Sequence, residues 1–304
     1  MLRRSLFLLL LVLLARCGAT PPIDCNLTMV AQMPLQVEHH WLVVPVGING
    51  KWVHLIVDSG AQWTMLSEAA AEQLGLQQDP KHILRPIGVG GTITVTGAPI
   101  DRLVIGKARF QDVKWIAVGN LNLATSGLNV DGMLGADILL GFDMDIDVPD
   151  HALTLYRSRV CPGAQPPWPE PAIEIPGVSA LKDRLLLPFE LDNVAGTAIL
   201  DTGAQGNTLG MAMARRMGLN DRTMAGDRTI HERGIGPEDT LSHVHQFSLL
   251  RIGPIAIPSP KMAVLPSGFG VGDALIGEPF LEGRRVWLSF PNRQLFISKR
   301  PNER

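Results

Sequence analysis

Apolar positions along the chain fall into short runs separated by turn residues, and two groups of runs look alike. Residues 41–46 and 53–57 are apolar and rich in β-branched side chains, and Asn49-Gly50 lies between them. Residues 185–191 and 197–200 repeat the arrangement around Asn193-Val194-Ala195-Gly196. Each group predicts a hairpin, with a second strand that ends on an aspartate, Asp58 or Asp201. A short helix is expected after each. Ser67 can cap the first, Glu68 suits its positive end and Gly75 can terminate it. Arg215 and Arg216 suit the negative end of the second, before Gly218. Short strands and Gly-rich turns account for the rest. Between the groups, residues 161–176 hold six prolines and predict an extended linker, because proline cannot donate to a ladder.

The likeness extends to individual residues. Asp58-Ser59-Gly60-Ala61-Gln62 recurs as Asp201-Thr202-Gly203-Ala204-Gln205, an offset of 201 − 58 = 143. Met133-Leu134-Gly135 recurs as Leu275-Ile276-Gly277, and Gly141, Pro149 and Leu153 answer to Gly283, Pro291 and Leu295, all at an offset of 142. So constant a spacing over separated landmarks marks one unit present twice.

Composition narrows the class. The 304 residues are 46% hydrophobic and 18% charged, enough for each half to bury a core. A formal charge of -2 argues against nucleic acid or anionic lipid as the main partner. The 31 Gly and 23 Pro favour many short strands joined by tight turns, an all-β chain. At the N-terminus, Arg3 and Arg4 precede an apolar run over residues 6–15, followed by Cys17, Gly18 and Ala19. The run is shorter than the roughly 20 residues of a spanning helix, so residues 1–20 read as an export signal, leaving no transmembrane segment in the mature chain. Periplasmic or secreted placement follows. Lipid attachment at Cys17 ranks below simple cleavage, because Arg16 stands where a lipoprotein box has a small residue. An oxidising compartment would permit a disulfide between Cys25 and Cys161, although two free thiols fit the sequence as well. The organisation expected is a signal over 1–20, an N-terminal lobe over 21–160, a Pro-rich linker over 161–182 and a C-terminal lobe over 183–304.

A single Asp-Ser-Gly or Asp-Thr-Gly is ordinary turn chemistry, in which the carboxylate accepts backbone N–H groups. Duplication changes that weighing, since two packed copies related by a pseudo-twofold axis bring equivalent turns face to face. On Asp58-Ser59-Gly60-Ala61, Asp201-Thr202-Gly203-Ala204, residues 133–139 and residues 275–281, the chain resembles the pepsin and retropepsin superfamily of aspartic peptidases. The likeness covers residues 35–300 and is that of a single-chain tandem of two retropepsin-like units.

The resemblance implies a two-lobed acid-protease fold, two homologous β-barrel-like lobes with short helices and a cleft between them. It implies Asp58 and Asp201 as the catalytic pair of an endopeptidase. Carboxyls about 3 Å apart share one proton; the ionised partner deprotonates water and the protonated one donates to the peptide carbonyl. No metal, cofactor or covalent intermediate is needed. Gly60 and Gly203 let the turns approach, Ser59 and Thr202 supply the hydroxyls that brace the opposite turn, and Gly135 and Gly277 match the loop packed beneath each aspartate. Gly88-Val89-Gly90-Gly91 resembles a retropepsin flap tip, with Gly234-Ile235-Gly236 in the matching place; a plain β-turn explains either tetrapeptide alone. Val89 and Ile235 suggest an extended apolar peptide or protein substrate.

Other chemistry fits less well. Glu38-His39-His40 and His243-Val244-His245 lack a third metal ligand at a recognisable spacing, so solvent-facing histidines are expected. Asp143, Asp145 and Asp147 lack the Gly and Glu of a calcium loop, and a solvated strand edge is expected. With both aspartates in one chain, the expected state is a monomer. The rival reading is a catalytically inactive peptide-binding protein on the same fold. A dimer in which each chain lends one lobe is a third.

Overall fold

The structure, a computed structural model, describes residues 27–298 apart from 122, 124–129, 158, 162 and 182. The expected hairpins form as Trp41–Ile48 with Lys51–Val57 and Arg184–Leu191 with Val194–Leu200. Their turns place Asn49 and Gly50, then Asp192 and Asn193, at positive φ, where Asn, Asp and Gly are best tolerated. Helix Glu68–Leu74 begins on Ser67, whose side chain accepts from the Ala70 N–H, and ends on left-handed Gly75. Helix Met211–Arg216 carries Arg215 and Arg216 in its last turn.

Each half builds one ten-stranded sheet, and the two have the same strand order. From edge to edge the first runs Ala108–Phe110, Leu103–Ile105, Trp41–Ile48, Lys51–Val57, Gly132–Leu134, Met65–Ser67, Trp115–Gly119, Val95–Pro99 and Asp79–Leu84, with Gln36–Glu38 beside Trp41–Ile48. The second runs Ile255–Pro258, Leu249–Ile252, Arg184–Leu191, Val194–Leu200, Ala274–Ile276, Thr208–Gly210, Lys261–Leu265, Thr240–Gln246 and Arg228–Glu232, with Ser179–Leu181 beside Arg184–Leu191. The sequence repeat is therefore a repeat of topology.

A third sheet joins the halves. Its six strands run Met29–Pro34, Ala152–Arg157, Phe142–Asp147, Arg285–Ser289, Gln294–Ile297 and Ile173–Glu174. The order is a palindrome about the central pair, in which Asp145 faces Trp287, Asp147 faces Arg285 and Asp143 faces Ser289. One apolar cluster runs from the first half through this sheet into the second, including Leu55, Leu134, Met144, Ile146, Leu200, Ile276 and Leu288.

One strand is new here and two expectations change. Met29–Pro34 lies upstream of the stretch that carries the family resemblance, yet it alternates outward Gln32 with inward Ala31 and Met33 as an ordered outer strand. The Pro-rich stretch contributes Ile173–Glu174 to the joining sheet from a pair of residues free of proline. Asp143 and Asp145 are buried, not solvated, because Phe142–Asp147 is central in its sheet. Arg285 grips Asp145 with two hydrogen bonds, Nε to Oδ1 at 2.9 Å and Nη2 to Oδ2 at 2.8 Å, and reaches Asp147 at 3.2 Å. Trp168, from the Pro-rich stretch, donates Nε1–H to Asp145 at 3.0 Å and places its ring 5.2 Å from the guanidinium carbon.

Candidate active site

Both aspartates sit at the ends of interior strands, where ladder partners fix their backbone. Lys51–Val57 runs parallel to Gly132–Leu134, and the Asp58 N–H donates to the Leu134 carbonyl at 3.0 Å. Val194–Leu200 runs parallel to Ala274–Ile276, and the Asp201 N–H donates to Ile276 at 2.9 Å. Each carboxylate then folds back on its own turn. Asp58 Oδ1 accepts from the Gly60 and Ala61 N–H groups at 2.9 and 2.8 Å, and Asp201 Oδ1 accepts from Gly203 at 3.0 Å.

Gly135 and Gly277 lie under these turns as expected, where there is no room for a side chain. A Cβ on Gly135 would sit 2.5 Å from the Trp63 carbonyl, and one on Gly277 would sit 2.5 Å from the Ala204 carbonyl oxygen. The support beneath differs between halves. The Gly135 N–H donates to Thr64 Oγ1, which donates to Asp137, whereas the Gly277 N–H donates to Asn207 Oδ1.

Ser59 and Thr202 are fully buried and lock the two turns together reciprocally. Thr202 Oγ1 accepts from the Ser59 N–H at 2.9 Å and donates to the Val57 carbonyl at 2.6 Å. Ser59 Oγ accepts from the Thr202 N–H at 3.1 Å and donates to the Leu200 carbonyl at 2.8 Å. Four bonds across the pseudo-twofold axis thus set the distance between the aspartates. Glycine is required at the next position in each turn. A Cβ on Gly60 would lie 2.5 Å from the Asp201 carboxyl carbon, and one on Gly203 would lie 2.4 Å from that of Asp58.

The two carboxyls perturb each other's proton affinity. Burial holds Asp58 well above the ordinary carboxylate range, and the adjacent Asp201 charge pushes it further. Burial also raises Asp201, against hydrogen bonds from Gly203 and Asp58 and the positive charge of Arg184. The arrangement favours a single proton held by the pair as a unit.

The two Gly-rich segments meet each other. Ile87–Gly88 and Gly91–Thr92 form a small hairpin around Val89 and Gly90. The Gly236 N–H donates to the Val89 carbonyl at 2.9 Å, and the Glu238 N–H donates to Gly90 at 3.1 Å. The backbones touch so closely that a Cβ on Gly236 would fall 1.9 Å from the Gly90 carbonyl carbon, while Gly88 packs against Ile235.

Two residues escaped the sequence reading. Trp41 donates Nε1–H to the Gly203 carbonyl at 3.1 Å, and Arg184 Nε donates to the Gly60 carbonyl at 3.5 Å. They stand at equivalent positions, each 17 residues before the aspartate of its own half (58 − 41 and 201 − 184). The repeat offset could have paired them, but their side chains are unlike.

The remaining candidates separate from this site. His39 and His40 are exposed as expected, and His40 Nδ1 lies 2.9 Å from Glu278. His243 and His245 are half-buried rather than solvent-facing, because their strand lies inside its sheet, and His245 Nδ1 lies 2.7 Å from Asp227. Among the described residues, no three His, Cys, Asp or Glu side chains gather as a metal site. Cys161 is disulfide-bonded; Cys25, its expected partner, and Cys17 lie outside the described residues. No helix among the described residues is long and apolar enough to cross a membrane.

Comparison with known proteins agrees with this geometry. The chain matches the aspartyl protease family twice, over residues 44–138 and 187–280, once in each half. It is 30% identical over 161 residues to DNA damage-inducible protein 1 of Neurospora crassa, covering 48% of this chain and 34% of that protein. It is 30% identical over 170 residues to the protein of the same name from Eremothecium gossypii, covering 53% of this chain and 34% of the relative. The match thus spans about a third of each relative's length. With both copies of the family unit in place and their aspartates brought together, the chain belongs to the aspartyl protease family.

Proposed function

We propose that the chain is an aspartic endopeptidase that hydrolyses peptide bonds between Asp58 and Asp201. The observation that carries this reading is the reciprocal Ser59–Thr202 brace, which holds each buried carboxyl against the glycine of the opposite turn. A pair sharing one proton offers a base and an acid at once. The ionised member of the pair takes a proton from water as the water oxygen attacks the peptide carbonyl, and the protonated member donates to the carbonyl oxygen. The pair then returns a proton to the leaving amine. Gly88, Val89, Gly90 and Gly91 with Gly234, Ile235 and Gly236 are the proposed flaps, which part to admit an extended peptide.

The working form is one chain, since both aspartates belong to it, with lobes over 21–160 and 183–304. Residues 1–20 direct export to a periplasmic or secreted location. The test is digestion of a peptide library by the unmodified chain, Asp58→Asn and Asp201→Asn. Cleavage should be lost in both variants, by about a thousandfold or more, while thermal unfolding stays cooperative. Cleavage retained by either variant overturns the assignment, and peptide binding without turnover by the unmodified chain establishes the rival.

A further inference from the structure

The pseudo-twofold axis relates Trp41 to Arg184, and the two make equivalent reaches to the Gly carbonyl of the opposite half. Their chemistry is opposite. The Trp41 indole has a single donor, already spent on Gly203, and presents an apolar face. It belongs to a cluster in the first half that includes Val43, Met65, Trp63, Trp115 and the flap residue Ile235. Arg184 carries five N–H donors and a permanent charge. Only its Nε is engaged, at a long 3.5 Å, and the terminal nitrogens meet no carboxylate or other acceptor among the described residues. The residue is half-buried, and its charge reaches Asp201. A half-desolvated guanidinium beside the reacting pair is a ready receptor for a carboxylate, which it can take through two parallel hydrogen bonds.

Building on the endopeptidase reading above, we propose that Arg184 makes the cleft directional: it receives an acidic side chain of the peptide on one side of the scissile bond, while Trp41 receives an apolar one at the equivalent place on the other. A cleft with true twofold symmetry would accept a peptide in either direction equally. Exchanging a cation for an indole at equivalent positions sets one polarity.

The test uses the full chain and C-terminally amidated peptides whose central bond is a reduced amide, so that side chains carry the only acidic groups. Glu or Gln is stepped through each position flanking that bond, and affinity is read by fluorescence anisotropy. One position on one side should favour Glu over Gln by about tenfold. Arg184→Gln should bring that ratio to about one, Arg184→Lys should keep part of it, and Trp41→Arg should create a second Glu-preferring position across the bond. No Glu preference in the unmodified chain, or a preference surviving Arg184→Gln, overturns the proposal. If Arg184→Gln does not fold, Arg184→Lys and Trp41→Arg decide, and the absence of a second position in Trp41→Arg counts against it. Ordinary amide versions of the same peptides are digested in parallel. An intact Glu-to-Gln ratio without cleavage refutes the endopeptidase reading and leaves this inference standing, and cleavage with a flat ratio does the reverse.

Discussion

Thr202→Val tests the brace that sets the aspartate separation. The substitution keeps the side chain's shape at a position with 0% exposure and removes only the hydroxyl, so it opens no cavity. Two bonds disappear, from the Ser59 N–H and to the Val57 carbonyl, at 2.9 and 2.6 Å. Each buried polar group left without a partner costs about 1–3 kcal/mol, which places the total for the two at about 2–6 kcal/mol. In urea denaturation followed by tryptophan fluorescence, the unfolding free energy should fall by that amount, seen as a lower midpoint with an unchanged slope. Thr202→Ser keeps both bonds, loses one methyl group and should cost about 1 kcal/mol. Peptide cleavage by Thr202→Val should drop about a hundredfold, because displacing one carboxyl by about 1 Å is enough to do so. A Thr202→Val unfolding free energy within about 0.5 kcal/mol of the unmodified chain would refute the reasoning, as would Thr202→Ser proving equally damaging.

Gly203→Ala should abolish cleavage and destabilise by about 1–3 kcal/mol or more, since its Cβ would lie 2.4 Å from the Asp58 carboxyl carbon. Gly226→Ala, whose Cβ would meet open space, should stay within about 0.5 kcal/mol in the same thermal melts. Burial raises both Asp58 and Asp201, and the Asp201 charge raises Asp58 further. The stability tied to their protonated form is therefore full at acid pH and is lost as pH climbs through the raised values. Melting temperatures taken from about pH 3 to pH 8 should fall less steeply in Asp58→Asn, and parallel profiles would contradict this. Arg285→Met leaves Asp145, 2% exposed, without its two-pronged partner and should cost about 3–5 kcal/mol by denaturation. Adding Asp145→Leu should recover most of that loss, because it removes the stranded charge; a double variant as unstable as the single one would show that packing dominates.

What the sequence made legible was local or repeated. Hairpins, Ser67 and Gly75 announce themselves within a few residues, and the aspartate turns stand out because pentapeptides that differ only by Ser for Thr occur 143 positions apart. The joining sheet did not announce itself. Alternation in residues 142–147 says that Asp143, Asp145 and Asp147 share a face, not what covers that face. The covering comes from Arg285 and from Trp168 in a stretch whose prolines masked its role. Trp41 and Arg184 were hidden for the opposite reason, since a search for likeness passes over equivalent places filled by unlike chemistry.

The seam between the halves also governs which pieces can associate. Its register sets Asp145 against Trp287 and Asp147 against Arg285. Two first halves meeting through the same register would lay Asp145 on Asp145 and Asp143 on Asp147, packing acids together with no guanidinium to neutralise them. Two second halves would crowd indole on indole and leave both arginines without an acid. Mixed pairing alone gives Asp145 and Asp147 their guanidinium, so separately expressed fragments should form heterodimers and reject self-pairing.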